Sequence, residues 1–523
     1  MTLLSKILKP EQKAVGAKVI RNVIFNGVRL LLLVPLPLIV IPYFLKKLGT
    51  SGYGTWAVFL AVNGVTSLAD LGLVTTLSKH VAEFYALKDF GALSRIINTG
   101  FVLYLVIACL LASIFWVSSP WLLSTLFRSS LVPAGELQVL WRYLLLLIIA
   151  NILTLMFSSV VLGLQRMDVS TSMTSLNLLT SAGVSILFLS WNWGLRGVLY
   201  AYVSAAWITL CAYVYVSRRL LPEIRFNPLD CRWTEAKEIL SFSVKTYVTQ
   251  IAVVIHNQIE KIYLARFVGV VSVGWYDIPS DLAVKLRGIP GLVLAPIMPA
   301  AAELQARNDQ SRLAVLYYRA HKYLAFIGVP FVLYIVFISK RFVELWVGPS
   351  LSVIAVPLSV LLIVNFLNLM TGPGFLILVA GGKLKPGLYS ALLGILLNVS
   401  LSLLLIRVYG FRGAVIGTSL SLGIASCFFM YLFQQETGGS FSKVMRRAYP
   451  KPAACSLVII AFLSIITHSE QSSWNQLVIR GVAFGVAYFA LLLLLRFFDG
   501  FDLAIVEGFL PIPRVARRII FGV

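Results

Sequence analysis

Apolar stretches long enough to cross a lipid bilayer recur from end to end of this chain, and they restrict it to one class of structure. A run of roughly 18–25 apolar residues spans about 30 Å of hydrocarbon as a helix. Inside lipid every backbone N–H and C=O must find its partner within the protein, and runs this long and uniform suit helices, not barrel strands. Composition agrees. Of the 523 residues 59% are hydrophobic and only 12% charged, against about 25% charge in an ordinary soluble domain, and the mean hydropathy is +0.89. The expected fold class is an all-α polytopic membrane protein.

About fourteen spans are predicted, beginning with 22–44 and 54–75, passing through 240–265 and 271–298 at the centre, and ending with 479–497. An even count places both termini on one side. Most of the Lys and Arg residues between spans fall on that side, among them Lys79, Lys88, Arg95, Arg218, Arg219, Arg446 and Arg447. The positive-inside bias makes it the cytoplasm. The same topology accounts for the net charge of +23 without a nucleic-acid partner. Residues 1–21 mix Leu3, Leu4, Ile7 and Leu8 with Lys6, Lys9, Lys13, Lys18 and Arg21, a basic amphipathic start for the cytoplasmic membrane surface.

Several function classes are disfavoured by what the sequence lacks. The longest loops, near 218–239 and 300–320, are too short to fold as soluble domains, which argues against an enzyme working through a large external catalytic loop. Cys109, Cys211, Cys231, Cys427 and Cys455 are scattered and form no CxxC pair, so neither a metal site nor a disulfide framework is expected. There is no Walker sequence, GxSxG or HExxH motif. No cofactor is expected, and any energy would come from an ion gradient, the membrane potential or consumption of product on the far side, with H⁺ or Na⁺ as the candidate coupling ion.

The chain also repeats itself. Gly194-Leu-Arg-Gly197 matches Gly410-Phe-Arg-Gly413, Val161-Leu-Gly-Leu-Gln-Arg166 matches Val379-Ala-Gly-Gly-Lys-Leu-Lys385, and Leu48-Gly49 matches Val268-Gly269 at a near-constant offset. Gly54 and Trp56 follow the first copy of the last motif; Gly274, Trp275 and Tyr276 follow the second. Six spans per copy restore sidedness, so the repeat is parallel. The expected domains are an N-terminal segment 1–21, an N-lobe 22–217, a cytoplasmic linker 218–239, a C-lobe 240–433, two further helices in 434–497 and a tail 498–523. A substrate site is expected between the lobes near the midplane.

Charge within the spans marks the candidate site. A charged residue at a helix centre costs about 2.5–3.5 kcal/mol on insertion scales. The predicted spans hold Arg29, Lys245, Lys261, Lys285, Arg287, Asp70, Glu260, Asp277 and Asp281. Unpaired, they would together cost more than about 20 kcal/mol, beyond the usual net stability of roughly 5–15 kcal/mol. They must pair, snorkel or face water. On the span 240–265, Lys245, Thr249, His256, Glu260 and Tyr263 form one polar stripe, with Gln250, Asn257 and Lys261 on the opposite side. On the next span Asp277, Asp281 and Lys285 follow at four-residue intervals, which lets Asp281 pair with Lys285. The cations Arg29, Lys245, Lys261, Lys285 and Arg287 are the candidates for lining a cavity that takes an anionic head group. His256, Glu260, Asp70, Asp277 and Asp281 are the candidates for ion or proton coupling. Pro35, Pro37, Pro42, Gly288, Pro290 and Gly291 are candidate hinge positions.

These residues carry a resemblance. Leu48-Gly-Thr-Ser-Gly-Tyr-Gly-Thr-Trp56, Leu68-Ala-Asp70-Leu-Gly72-Leu and Val81-Ala-Glu83 resemble the second-span region of polysaccharide-biosynthesis membrane proteins of the O-antigen flippase type. Gln258-Ile-Glu260-Lys261, then Gly269, Gly274-Trp-Tyr276 and Pro296-Ile-Met-Pro299, resemble the start of their second half, with Glu260 in place of the more frequent Asp. The resemblance implies the multidrug/oligosaccharidyl-lipid/polysaccharide (MOP) exporter fold and alternating access in a bacterial inner membrane. It implies a lipid-linked oligosaccharide as substrate, usually on undecaprenyl pyrophosphate, with membrane lipids and other polysaccharide-assembly membrane proteins as partners. Three alternatives stay open: an ion-coupled multidrug exporter of the same superfamily, a lipid II flippase, and a membrane polysaccharide polymerase or ligase. The exporter would favour net acidic charge within the spans, and the enzyme would need loop-borne carboxylates.

Overall fold

The computed structural model describes residues 35–502 except 71, 225–226, 228–229, 439–440 and 467–472, and side chains at all of these but 69, 238, 241–250, 252–253 and 257. The basic start 1–21 and the first part of the span 22–44 lie outside the described residues. Those that are described form helices joined by short turns, with no strand among them. Two compact units emerge, one of residues up to Asp277 with Ile395–Gly417, the other of Ile278–Gly394 with Thr418 onward.

The first unit contains α1 (Pro35–Val65), α2 (Leu73–Ala86), α3 (Phe90–Val117), α4 (Ser119–Leu126), α5 (Ala134–Gly163), α6 (Met167–Ser190), α7 (Gly194–Leu220) and α8 (Trp233–Phe267). It also takes the first turns of α9 (Val270–Gly291), most of α14 (Lys385–Tyr409) and the start of α15 (Phe411–Thr437). Its centre is α5, whose Leu140, Trp141, Leu144, Ile148, Met156 and Val160 are all buried. Trp141 meets Phe59 and Phe127 in an aromatic cluster and donates its indole N–H to the Phe115 carbonyl at 3.0 Å. By contrast α3 leaves Leu110 and Ile114 exposed, as a lipid-facing helix should, since hydrocarbon imposes no cost on apolar side chains.

The second unit is built on α11 (Gln310–Val347), with α10 (Ile297–Ala306), α12 (Ala355–Leu369), α13 (Gly372–Ala380), α16 (Phe441–Ala448), α17 (Pro450–Ile466) and α18 (Trp474–Leu494) around it. Asp309 caps α11 by accepting from the Arg312 N–H at 3.0 Å, satisfying one of the donors that a helix start leaves open. The last two helices pack onto α11 through side chains that also satisfy backbone. Tyr488 donates to the Phe326 carbonyl at 2.9 Å, and Tyr334 to that of Leu477 at 2.8 Å.

Ten helical segments among the described residues are long and apolar enough to cross a membrane, or twelve if two bent pairs count as one span each. The expected fourteen is not reached by that measure for two reasons. The first span starts before the described residues, and α8, the expected span 240–265, has side chains at 241–250, 252–253 and 257 outside them. The gap expected between spans one and two is also absent as a loop: α1 runs through it, broken only at Gly49 with φ 69°.

The repeated motifs share local geometry. Gly194 and Gly410 each open a helix after a tight turn, with φ 58° and 56°, a conformation that costs glycine little and other residues more. Corresponding glycines of another motif meet one another. Gly54 on α1 lies so close to the Val270 carbonyl at the start of α9 that it leaves no room for a Cβ, and a Cβ on Gly274 would sit 3.4 Å from the Gly54 Cα.

Candidate functional site

The polar helix α8 buries its charges against two different neighbours. Glu260 is wholly buried, and its Oε1 accepts from Asn398 Nδ2 at 2.5 Å and from Ser402 Oγ at 3.3 Å. Asn398 and Ser402 are four residues apart on α14, so one face of that helix presents both donors. Lys261 is the next residue on α8 and points elsewhere. Its Nζ lies 2.6 Å from Asp277 Oδ1 on α9, and Tyr53 of α1 donates to Oδ2 of the same carboxylate at 3.0 Å. One helix thus docks through a carboxylate held by neutral donors and an ammonium held by a carboxylate. His256 sits half-buried one turn before Glu260.

The remainder of α9 belongs to the second unit. Lys285 donates to Asp281 one turn earlier at 2.5 Å, so that cation is neutralised on its own helix. Arg287 differs. Its Nη1 reaches Asn365 Oδ1 on α12 at 3.5 Å, the outer limit of a hydrogen bond, and among the described residues no carboxylate lies within ion-pair distance of it. Asn365 spends its own Nδ2 on the Leu361 carbonyl at 2.8 Å, so its carbonyl oxygen stays turned to the guanidinium. Arg287 is therefore a planar, five-donor cation whose protein partner is an amide oxygen.

The other sequence candidates separate by location. Asp70 ends a 3₁₀ turn, Thr66–Asp70; its carboxylate accepts from Tyr104 Oη at 2.8 Å and from the Val74 N–H at 3.1 Å, tying α3 to the start of α2. Arg29 lies outside the described residues, as does the side chain of Lys245. Pro35 and Pro37 lie in the first turn of α1, and Pro42 lies within it. Gly288 and Pro290 lie inside α9, which ends at Gly291 and gives way to a 3₁₀ turn, Leu292–Leu294, before α10. Helix and break together form one 37-residue candidate span, Val270–Ala306.

Sequence reasoning missed the uncharged partners. Asn398, Ser402, Tyr53 and Asn365 were visible only as single polar residues in apolar runs, and that is the signal that would have found them. It missed a polar cavity as well. Within the first unit, between the end of α1 and helices α5, α6 and α7, lies a cavity of about 380 Å³ whose lining includes Asn63, Asn151, Asn177 and Thr209 and, among the described residues, no Asp, Glu, Lys, Arg or His.

The fold and these intramembrane networks define a polytopic helical membrane protein, and comparison with known proteins gives its family. The chain belongs to the polysaccharide biosynthesis protein family, whose model matches residues 19–305. It is a multi-pass membrane protein. Among curated relatives it is similar to a putative O-antigen transporter of Shigella flexneri, 19% identical over 79% of this chain and 97% of that one. An uncharacterized membrane protein of Bacillus subtilis (strain 168), EpsK, is 23% identical over 86% of this chain and 89% of its own length. Among solved structures, the lipid II flippase MurJ in an inward closed conformation superposes with a TM-score of 0.75 at 14% identity, over 90% of this chain and 98% of that one. An inward-facing multidrug resistance transporter of the MATE family reaches 0.61 at 16% identity, over 79% and 95%. At these identities the likeness is one of fold.

Proposed function

We propose that this protein carries a polyprenyl-pyrophosphate-linked oligosaccharide from the cytoplasmic to the outer leaflet of a bacterial inner membrane, for assembly of a surface polysaccharide. Both termini are cytoplasmic in this reading, transport proceeds by alternating access, and the oligosaccharide is handed to other assembly proteins in the membrane. Membership of the polysaccharide biosynthesis family supports the cargo class. The observation that carries the head-group chemistry is Arg287, a cation on an intramembrane helix with an amide, not a carboxylate, as its partner. A pyrophosphate offers paired acceptor oxygens that a guanidinium fork binds bidentately. Lys261 and Lys285 are engaged by Asp277 and Asp281, so Arg287 is the cation among the described candidates that this reading assigns to the head group. Glu260, wholly buried on α8 and accepting from Asn398 and Ser402, is the carboxylate that this reading assigns to exchange of H⁺ or Na⁺ during the cycle.

The test uses protein reconstituted in liposomes and the appearance of undecaprenyl-pyrophosphate-linked oligosaccharide in the outer leaflet. Hydrogen bonds to charged groups contribute about 1.5–3 kcal/mol, so Arg287→Gln slows transfer by about tenfold or more, and Arg287→Lys falls between the two. Wild-type transfer by Arg287→Gln, at equal amounts of folded protein, overturns the reading.

A further inference from the structure

We infer that the cavity of the first unit is a binding subsite for a neutral, hydroxyl-rich ligand, a sugar ring of the transported molecule; this rests on the transport reading above. Its volume of about 380 Å³ lies near the lower end of the roughly 300–1,000 Å³ of small-molecule pockets. The chemistry of its wall decides the ligand. Asn151 Nδ2 donates to Asn63 Oδ1 at 3.2 Å, which leaves the Asn63 amide N–H groups and the Asn151 oxygen to face a guest. Asn177 Nδ2 donates to Thr209 Oγ1 at 3.2 Å, which leaves the Asn177 oxygen free to accept. Thr154 and Thr174 donate to carbonyls of their own helices at 2.7 and 2.9 Å, so their hydroxyl oxygens turn lone pairs outward.

The wall therefore mixes neutral donors and acceptors, which is the complement of a sugar's hydroxyls, each both donor and acceptor. Among the described residues it carries no charge to attract a phosphate or an ammonium. Ile152 and Leu155 add an apolar strip suited to the C–H face of a pyranose. Three asparagines from three helices would be costly at one place inside a membrane protein unless they met polar partners. Some meet each other; the remaining valences converge on the cavity.

The subsite is tested on the full chain in nanodiscs with two separate probes. Saturation-transfer NMR measures binding of neutral disaccharides (maltose, cellobiose and N,N′-diacetylchitobiose), and ³¹P NMR measures binding of inorganic pyrophosphate. At least one disaccharide binds wild-type protein, and Asn151→Leu weakens it about tenfold, the factor that corresponds to about 1.4 kcal/mol. Thr154→Val, which keeps the side-chain volume, weakens it by less. Absence of disaccharide binding to the wild type, a cavity holding water alone, overturns the subsite, as does equal affinity in wild type and both variants. Pyrophosphate binding is expected to fall in Arg287→Gln. If it does not, while disaccharide binding behaves as stated, the head-group reading falls and the subsite stands; the converse result removes the subsite alone.

Discussion

Asp277→Ala lowers the stability of the protein by about 3–5 kcal/mol, the cost of leaving one member of a buried ion pair without the other. Lys261 and Asp277 are 12% and 7% exposed, and Asp277 also holds the Tyr53 hydroxyl. Removing the carboxylate takes the ion-pair partner from the Lys261 ammonium and an acceptor from the Tyr53 hydroxyl. The double variant Lys261→Met, Asp277→Leu recovers most of the loss, because hydrophobic replacements of a whole buried pair are often neutral or better. Asp281→Ala is the contrast. Its pair with Lys285 is 38% and 24% exposed, and exposed i,i+4 pairs contribute about 0.3–0.5 kcal/mol. Thermal unfolding in detergent micelles compares the three. A double variant no more stable than Asp277→Ala would show that lost packing, not stranded charge, sets the cost.

Lys322→Met releases the segment that follows α18. Lys322 is 2% exposed on α11 and pairs with both Asp499, at 3.1 Å, and Asp502. Arg319, one turn earlier, reaches Asp499 at 2.5 Å, and Tyr323 donates to Asp502 at 2.7 Å. Phe497 lies under the Lys322 ammonium, 5.2 Å from its ring centre. Without Lys322, Asp502 stays 6% exposed with Arg319 at 3.4 Å as its remaining cation among the described residues, a loss of about 3–5 kcal/mol by the same reasoning. The readout is trypsin cleavage after Arg496, slow in the wild type and fast in the variant; equal rates would overturn the account. Acid has a parallel effect. Burial alone would raise the Asp499 carboxyl, but hydrogen bonds from Arg319 and Lys322 and the Lys322 charge hold it at about 2, below 3.8. The clamp is whole above pH 3.8 and weakens as the pH falls through about 2.

The helical membrane class was legible because bilayer thickness and backbone hydrogen bonding leave few solutions. The requirement that intramembrane charges find partners was legible too, and so was the Asp281–Lys285 pair, because helix geometry sets it locally. Longer-range pairing was not. Nothing in the spacing says that Lys261 meets Asp277 across a helix crossing, or that Glu260 meets Asn398, which reads in sequence as a glycosylation sequon, Asn398-Val-Ser400, misplaced in a span. The Lys322–Asp502 clamp joins residues far apart in the chain, and each alone reads as an ordinary interfacial charge. The neutral cavity was invisible for another reason. Charge is conspicuous against an apolar background, whereas Asn63, Asn151 and Asn177 acquire meaning only once three helices bring them to one place.

The contact between Gly54 and the start of α9, near Gly274, bears on how the two copies of the repeat can diverge. The two glycines occupy the same place in successive copies, so a methyl group added to either half of the gene meets the other half's backbone. Size at this crossing is a shared constraint, one that neither copy can relax alone. Charge is not shared in this way. Counting back from the Gly49–Gly269 match, Glu260 and Lys261 fall at Val40 and Ile41, which are apolar. Duplication thus left one position where drift in either half must answer to the other. About four turns of helix away, the second copy of the motif carries an acid and a base where the first is apolar.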